Sequence, residues 1–147
     1  MLTKMKKNTK LTLLFFILIA LDQLAKLLAP QTKTNFLFTY LCNKNIAWNI
    51  PVNAGVFYSV WIIIAAILIF IFFKTRSYSQ KILLTFIFSG AVSNFIDRIR
   101  LGCAVDYIDL KFWPVFNLAD VYITIGIIII VINFIKKSKP RSGLPNL

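Results

Sequence analysis

Four long apolar runs dominate the pattern of hydrophobic and polar positions along the chain. They cover Leu11–Ala29, Ala54–Phe73, Ile82–Arg98 and Leu118–Ile135. A helix needs about 20 mostly apolar residues to cross the hydrocarbon core of a bilayer. Each run approaches that length, so the pattern predicts an all-α integral membrane protein with four transmembrane helices. At 147 residues, the chain is expected to be one membrane domain, 1–147, with tails at 1–10 and 136–147.

The first apolar run has one feature of a secretory signal peptide, because lysines precede the stretch "LTLLFFILIAL". The apolar part of a signal peptide is short and ends at a cleavage site of small residues. Here the run continues through "DQLAKLLA" to the length of a membrane span. We therefore expect this segment to be kept as a helix.

Two shorter segments that connect spans have the alternating pattern of strands. Phe36, Phe38 and Tyr40 share one face at a period of two, and Val105 and Tyr107 repeat that spacing later in the chain. Both segments fall on the same side of the membrane in the predicted topology. They are expected to pair into a small sheet at the membrane face.

The charge of +12 is distributed unevenly between the two sides of the membrane. Lys33, Lys44, Arg98, Arg100 and Lys111 lie on one side. The other side carries a larger group: Lys4, Lys6, Lys7, Lys10, Lys74, Arg76, Lys81, Lys136, Lys137, Lys139 and Arg141. The positive-inside rule therefore predicts that both termini are cytoplasmic. Contact of the basic ends with anionic membrane lipids accounts for the charge, so no nucleic-acid partner is expected.

The two cysteines, Cys42 and Cys103, both fall on the outer side. A disulfide between them is sterically possible. Because free cysteine commonly packs as a small hydrophobic residue, we expect both thiols to be free. Neither is a good nucleophile candidate, since a catalytic thiol needs an activating base and the chain has no histidine.

All five acidic residues are aspartates, and all map to the outer part of the predicted bundle. The one deepest in a span is Asp22, about 18 Å along the first span at a rise of ~1.5 Å per residue. An ionisable group at membrane depth costs at least ~2.5 kcal/mol and is by default a candidate functional residue. The aspartates therefore indicate a site; they are Asp22, Asp97, Asp106, Asp109 and Asp120.

Helical spacing groups several polar residues of the first and third spans. Asp22 and Lys26 stand four apart, which favours an ion pair and leaves direct substrate contact open. Asn94, Asp97 and Arg98 share one face of the third span. One turn earlier, Gly90 permits close helix approach. These groups could either lock the bundle by interhelical hydrogen bonds or hold a substrate.

Asp106 and Asp120 are the candidates for chemistry, because two close carboxylates cannot both ionise and therefore share one proton. The charged partner can then take a proton from water while the neutral partner donates to the substrate, as in aspartic proteases. For Asp120, which stands three residues after Asn117 in the first turn of its helix, plain capping is the alternative. Asp109 is expected to be solvated or to fix its loop.

Four blocks of the sequence resemble those of the bacterial lipoprotein signal peptidases, also called signal peptidase II. They are "LDQLAK", "NKNIAW", "SGAVSNFIDR" followed by "GCAVDYID", and "FNLAD". The last two blocks, in this order and spacing, are specific to the family. Departures from the family pattern fall at Asn45, Ile46, Trp48, Ser89, Ser93 and Ala104.

The resemblance implies a membrane aspartic endopeptidase that cleaves prolipoproteins before a diacylglyceryl-modified cysteine, at the outer face of the bacterial plasma membrane. It implies four helices, a small β-cradle and an outer-surface helix, with no cofactor or metal, and we expect a monomer. The catalytic pair falls on Asp106 and Asp120. The substrate-binding positions fall on Asp22, Lys26, Asn43, Gly90, Asn94, Arg98 and Asn117.

Other functions are weighed against this one. A Ser–Lys membrane protease would use Lys26 as base with Ser89 or Ser93, although Asp22 keeps that lysine charged. A metal-dependent lipid transferase would need several carboxylates on helices around Mg²⁺, and only one helix has such a motif. An ion carrier is disfavoured by the absence of broken helices.

Overall fold

The computed structural model describes residues 2–29, 37–44 and 53–138, except for the side chains of residues 2–5. In chain order the elements are α1 (Leu2–Leu28), β1 (Phe38–Asn43), α2 (Ala54–Lys74), α3 (Tyr78–Leu101), β2 (Ala104–Ile108) and α4 (Leu118–Ser138). All four helices are long and apolar enough to cross a membrane. The predicted four-helix membrane architecture is therefore confirmed.

Helix α3 is the centre of the bundle, and α1 and α4 pack against it. Its start is capped by Ser77, whose hydroxyl accepts from the backbone of Gln80, and it ends at Gly102, which has a φ of 74°. A left-handed residue at this position suits glycine, since it has no Cβ to clash. The buried face of α3 is unusually polar for a membrane helix: it contains Leu84, Thr85, Ile87, Ser89, Gly90, Ser93 and Asp97.

Close contact between α3 and α4 depends on Gly90. A Cβ added there would overlap the carbonyl oxygen of Ala119 and lie 2.8 Å from Cγ1 of Ile123. The two backbones therefore approach at a point where no side chain fits, as small residues allow in membranes. This contact brings the first turn of α4, with Asp120, against α3.

Helix α2 stands at the margin of the bundle and has no buried residue. Its attachment to α3 is aromatic and lies near its start. The Trp61 ring stacks on Phe95 at 3.7 Å between centroids, and the Trp61 indole N–H donates to the Ala91 carbonyl. The remaining apolar surface of α2 is suited to contact lipid rather than protein.

The two strands pair antiparallel, which confirms the predicted small sheet. The register places Leu41 opposite Asp106, Cys42 opposite Val105 and Asn43 opposite Ala104, with an irregularity between Phe38 and Leu41. Phe36 and Trp48 lie outside the described residues. The outer-surface helix that the resemblance implies is not among the elements of the described ranges.

The expectation that both cysteines are free is wrong. Cys42 and Cys103 form a disulfide, with their Cα atoms 5.4 Å apart. The reason is the strand register, which the sequence pattern alone did not fix: Cys42 lies opposite Val105, so Cys103 is its diagonal neighbour on the same face of the sheet. Diagonal neighbours in a regular sheet are about 7–8 Å apart, and the bend at Gly102 and Cys103, just before β2, brings this pair closer than that.

A groove of about 780 Å³ opens between α1, α2 and α3 at the basic end of the bundle. Its lining includes Asn8, Phe15, Phe72 and Lys81 and contains no aspartate. The acids gather at the opposite end, beside the sheet. The groove is therefore separate from the predicted chemistry.

Candidate active site

Four of the five aspartates meet where β2 packs against the ends of α1, α3 and α4. Asp22, Asp97 and Asp106 are buried, with 0%, 3% and 3% of their surface exposed, and Asp120 is half-buried. Asp109 is the exception. Its carboxylate accepts from the backbone and side chain of Lys111 in an exposed turn, so it fixes its loop as expected.

The inner part of the site is a buried ion-pair cluster, formed by Lys26 with Asp22 and Asp97. The Lys26 Nζ lies 2.6 Å from Asp22 Oδ2 and 2.7 Å from Asp97 Oδ2, and it donates to Asn94 Oδ1 at 2.9 Å. The three donors of the ammonium group thus have three acceptors. The predicted ion pair of Asp22 with Lys26 is confirmed, and Asp97 joins it from α3.

The buried ion-pair cluster ties three helices together. Asp22 accepts from the Ser93 hydroxyl at 2.6 Å and from the backbone N–H of Ala119 at 3.0 Å, linking α1 to α3 and α4. Gln23 donates to Asp97 at 2.8 Å and to the Ser93 hydroxyl at 3.0 Å. Charge at this depth is tolerated because every charged group is paired and hydrogen-bonded.

The sequence indicated that Asp97 could bond between helices, but it did not indicate the contributions of Gln23 and Ser93 to this cluster. Asp97 also accepts from the backbone N–H of Val105, which holds β2 on the end of α3. The signal available was the position of Gln23 beside Asp22 and of Ser93 one turn before Asp97. Polar residues at such spacing on two apolar helices indicate that the two faces meet.

The outer part of the site is the carboxylate pair, Asp106 on β2 and Asp120 on α4, held by an asparagine frame of Asn43, Asn94 and Asn117. Asp106 accepts from the Asn43 amide at 2.9 Å and from the Asn117 amide at 2.7 Å. Asp120 accepts from the Asn94 amide at 2.9 Å. Each carboxylate is therefore bound by neutral donors from another element.

Asn117 contacts both members of the carboxylate pair. Its backbone N–H donates to Asp120 Oδ2 at 3.2 Å, and its side-chain oxygen accepts from the Asp120 backbone at 3.0 Å. These reciprocal bonds cap α4, as the alternative for Asp120 anticipated. The same cap leaves the Asn117 amide free to bind Asp106, so capping and site assembly are one arrangement.

Asn94 connects the two parts of the site. Its side-chain oxygen accepts from Lys26 and from the Asn117 amide, while its own amide donates to Asp120. The amide orientation follows from these partners, since Lys26 can only donate. Because Lys26 donates to the Asn94 oxygen, the Asn94 amide group is left to donate to Asp120.

The environment of Asp106 favours its neutral form. The pKa of this carboxyl group is raised to about 6, mainly by burial and also by the charge of Asp120, while the hydrogen bonds of Asn43 and Asn117 oppose the shift. A carboxylate pair with one raised pKa can hold a single shared proton near neutral pH.

Arg98 lies in the last turn of α3, beside the carboxylate pair. Its guanidinium interacts electrostatically with Asp106 and Asp120 and lies 4.8 Å from the ring centre of Phe57 on α2. It also donates to the carbonyl of Asn94 at 3.3 Å. The predicted residues Asn43, Asn94, Arg98 and Asn117 are thus near the carboxylate pair, whereas Asp22, Lys26 and Gly90 lie beneath it.

The geometry disfavours a Ser–Lys protease. A general base must be neutral, but Lys26 faces two carboxylates with all three of its donors engaged. The hydroxyl of Ser93 is bonded to Asp22 and Gln23 and is fully buried. The Ser89 hydroxyl donates to the Phe86 carbonyl within its own helix.

The chain is similar to known proteins over most of its length. The signal peptidase II family profile matches residues 14–136. A lipoprotein signal peptidase of Halothermothrix orenii is 36% identical, with 84% of this chain and 93% of that protein covered. One from Enterococcus faecalis is 34% identical, with 89% and 93% covered.

The fold is similar to that of a bacterial membrane enzyme whose structure was determined by the in meso method at 2.3 Å resolution. The TM-score is 0.78 and the sequence identity 28%, with 95% of each chain covered. A second structure of a bacterial membrane enzyme, at 1.9 Å resolution, gives a TM-score of 0.74 at 28% identity, covering 88% of this chain and 95% of that one.

Proposed function

Since this chain belongs to the signal peptidase II family, the lipoprotein signal peptidases, we propose that Asp106 and Asp120 form its catalytic pair. The reaction is hydrolysis of the peptide bond that precedes a diacylglyceryl-modified cysteine in a prolipoprotein. The observation that carries the proposal is the asparagine frame. It binds the buried carboxylate of Asp106 and the half-buried carboxylate of Asp120 through a shared residue, Asn117, without neutralising either one.

In the proposed mechanism, the ionised member of the carboxylate pair takes a proton from a water molecule. That water attacks the carbonyl carbon of the scissile amide, while the neutral member donates a proton to the carbonyl oxygen. Collapse of the tetrahedral intermediate breaks the C–N bond, and the amine leaves with a proton. The products are the signal peptide with a new carboxylate and the lipid-modified cysteine with a free amine, without a covalent enzyme intermediate.

The remaining predicted site residues divide between two roles. Asn43, Asn94, Arg98 and Asn117 surround the carboxylate pair and are proposed to contact the substrate, with the planar guanidinium of Arg98 suited to a peptide carbonyl or a lipid phosphate. Asp22, Lys26 and Gly90 are proposed to act through them. Their burial and their bonds within the bundle favour positioning over direct contact.

The proposed setting is the bacterial plasma membrane, with both termini cytoplasmic and the active site near the outer face. The basic end of the bundle would then lie at the cytoplasmic leaflet, in agreement with the positive-inside rule. Every group of the proposed mechanism comes from one chain, which supports action as a monomer. No cofactor or metal has a role in the proposed mechanism.

The proposed reaction is tested with purified protein in detergent and a synthetic prolipoprotein, whose products are mapped by mass spectrometry. We expect cleavage directly before the modified cysteine, much slower cleavage of the unmodified peptide, and no change with EDTA. Activity that EDTA abolishes and Mg²⁺ restores would support a metal-dependent enzyme instead. Loss of cleavage in Ser93→Ala, with Asp120→Asn still active, would support a Ser–Lys protease.

A further inference from the structure

The disulfide lies next to the residue that binds Asp106. Cys42 is linked to Cys103, and the following residue, Asn43, donates its amide to Asp106 at 2.9 Å. The disulfide joins an exposed residue to a buried one: Cys42 is exposed on β1, whereas only 1% of the Cys103 surface is exposed. An exposed strand is thus anchored to the buried junction between α3 and β2.

Within the described ranges, β1 contacts mainly β2. None of its residues is buried, and its pairing with β2 has an irregular register between Phe38 and Leu41. Two paired strands alone are marginally stable in water. Register is weakly specified where a strand buries no continuous face.

The strand geometry makes register decisive for Asn43. Successive side chains on a strand point to opposite faces, so Cys42 and Asn43 point in opposite directions. With Cys42 opposite Val105 and Asn43 opposite Ala104, the disulfide forms on one face and Asn43 is the diagonal neighbour of Asp106 on the other. A slip of one residue would turn Asn43 away from Asp106.

We infer that the Cys42–Cys103 disulfide is a positioning device for catalysis, which locks the register of β1 so that Asn43 binds Asp106. The two cysteines act through Asn43 and have no contact with the reacting atoms. This inference rests on the proposed function, because it concerns the same carboxylate pair. The position of Asn43 would then depend on a covalent bond that lies outside the asparagine frame.

On this inference, the disulfide affects the reaction only through the position of Asn43. Loss of the Asn43 hydrogen bond raises the pKa of Asp106, since that bond lowers it in the intact site. The limb of the kcat–pH profile that is set by the titration of Asp106 should therefore move to higher pH. A disulfide that only stabilised the fold would change the melting temperature but leave this profile in place.

The test is a double-mutant cycle in the full-length protein, with Cys42→Ala/Cys103→Ala, Asn43→Ala and the combination of both. Intact mass after thiol alkylation is measured first. The wild type should have no free thiol before reduction and two free thiols after treatment with a phosphine, which is oxidised as it reduces the disulfide. We expect the cysteine variant and Asn43→Ala each to lose about ten- to a hundredfold in kcat, with the same upward shift in pH profile. The combined variant should be no worse than Asn43→Ala alone.

The reductant provides an internal control, because it should slow the wild type and leave the cysteine variant unchanged. Additive effects in the combined variant, or cysteine variants with the wild-type kcat and pH profile, would overturn the inference. Should Asp106→Asn retain normal activity, the proposed catalytic pair fails and the inference fails with it. An inactive Asp106→Asn beside fully active cysteine variants would overturn the inference alone.

Discussion

Asn117 is the residue on which the proposed site depends most, and its chemistry explains why an amide occupies the position. It is fully buried, and its amide donates to Asp106 at 2.7 Å, to Asn94 at 3.0 Å and to the Val105 carbonyl at 3.2 Å. A cation here would favour ionisation of both carboxylates. A neutral amide binds the carboxylate pair and is compatible with the single shared proton of the proposed mechanism.

Replacement of Asn117 by alanine should lower kcat by about ten- to a hundredfold, the expected loss of a hydrogen bond to a charged group. The measurement is cleavage of a diacylated prolipoprotein peptide at saturating substrate. Asn133→Ala is the matched control, because Asn133 is an exposed asparagine on α4, the helix that Asn117 caps. Equal activity of the two variants would remove Asn117 from the site.

The raised pKa of Asp106 has a signed consequence for stability. Between pH 4 and pH 6 the unfolded chain loses this proton while the folded protein keeps it, since the folded pKa is about 6 and the ordinary value is 3.8. The contribution of Asp106 to stability is therefore fully present below pH 4 and is lost as the pH rises through 6. The total loss is on the order of 3 kcal/mol.

This dependence is measured as the difference in melting temperature between the wild type and Asp106→Asn in detergent, from pH 4 to pH 8. We expect the wild type to lose stability relative to the variant up to about pH 6, with a constant difference above pH 7. A constant offset across the whole range would mean that Asp106 titrates with its ordinary pKa. Hydrogen bonds lost in the variant change the offset but not the slope.

At the scale of elements, the contact of α3 with α4 decides where Asp120 lies. Gly90 meets the backbone of Ala119, the residue before Asp120, so any added atom displaces the start of α4. Gly126 is a second contact between the same helices, but there an added Cβ meets the Ile87 side chain at 2.6 Å and the Leu83 carbonyl at 3.0 Å. Substitutions at the two glycines therefore compare a packing change beside Asp120 with a packing change further along the same pair of helices.

Gly90→Ala should lower kcat more than tenfold, and overpacking should cost about 1–3 kcal/mol of stability. Gly126→Ala should destabilise the protein by a similar amount with a nearly unchanged kcat, because the contact is more than one turn further along α4. Thermal unfolding and peptide cleavage are measured on both variants. A Gly90→Ala protein with full activity would show that the start of α4 need not be placed so closely.

Local spacing explains which parts of the site could be predicted from the sequence. The pair of Asp22 with Lys26 is fixed by one turn of a helix, and both strands are evident from their alternation. The bond of Lys26 to Asp97 depends on how α1 and α3 are rotated about their axes, which apolar periodicity does not define in a membrane. The disulfide depends on the register of two distant strands, so it too required the structure.

At the scale of the whole molecule, charge is separated along the bundle. The described lysines at the starts of α1 and α3 lie at one end, and the aspartates lie at the other. The polar side chains between the two ends are concentrated on the buried face of α3, and the long hydrophobic exposed surfaces of α2 and α4 suit a lipid environment. The separation matches a membrane protein whose chemistry takes place at one leaflet.

The proposed orientation predicts the behaviour of reporter fusions in bacteria. Green fluorescent protein fused after Leu147 should fluoresce, and alkaline phosphatase at the same position should be inactive, because the C-terminus is expected in the cytoplasm. A phosphatase fusion that ends at Lys111 should be active. Active phosphatase after Leu147 would reverse the orientation and move the proposed site to the inner face.

The most direct test of the proposed catalytic pair compares three aspartates in one assay. Asp106→Asn and Asp120→Asn should each lower kcat for the diacylated prolipoprotein by about 10²–10⁴-fold, the usual contribution of general acid–base catalysis. Asp109→Asn, whose carboxylate holds only Lys111 in an exposed turn, should retain wild-type activity. Near-normal cleavage by either Asp106→Asn or Asp120→Asn, in folded protein, would contradict the catalytic pair.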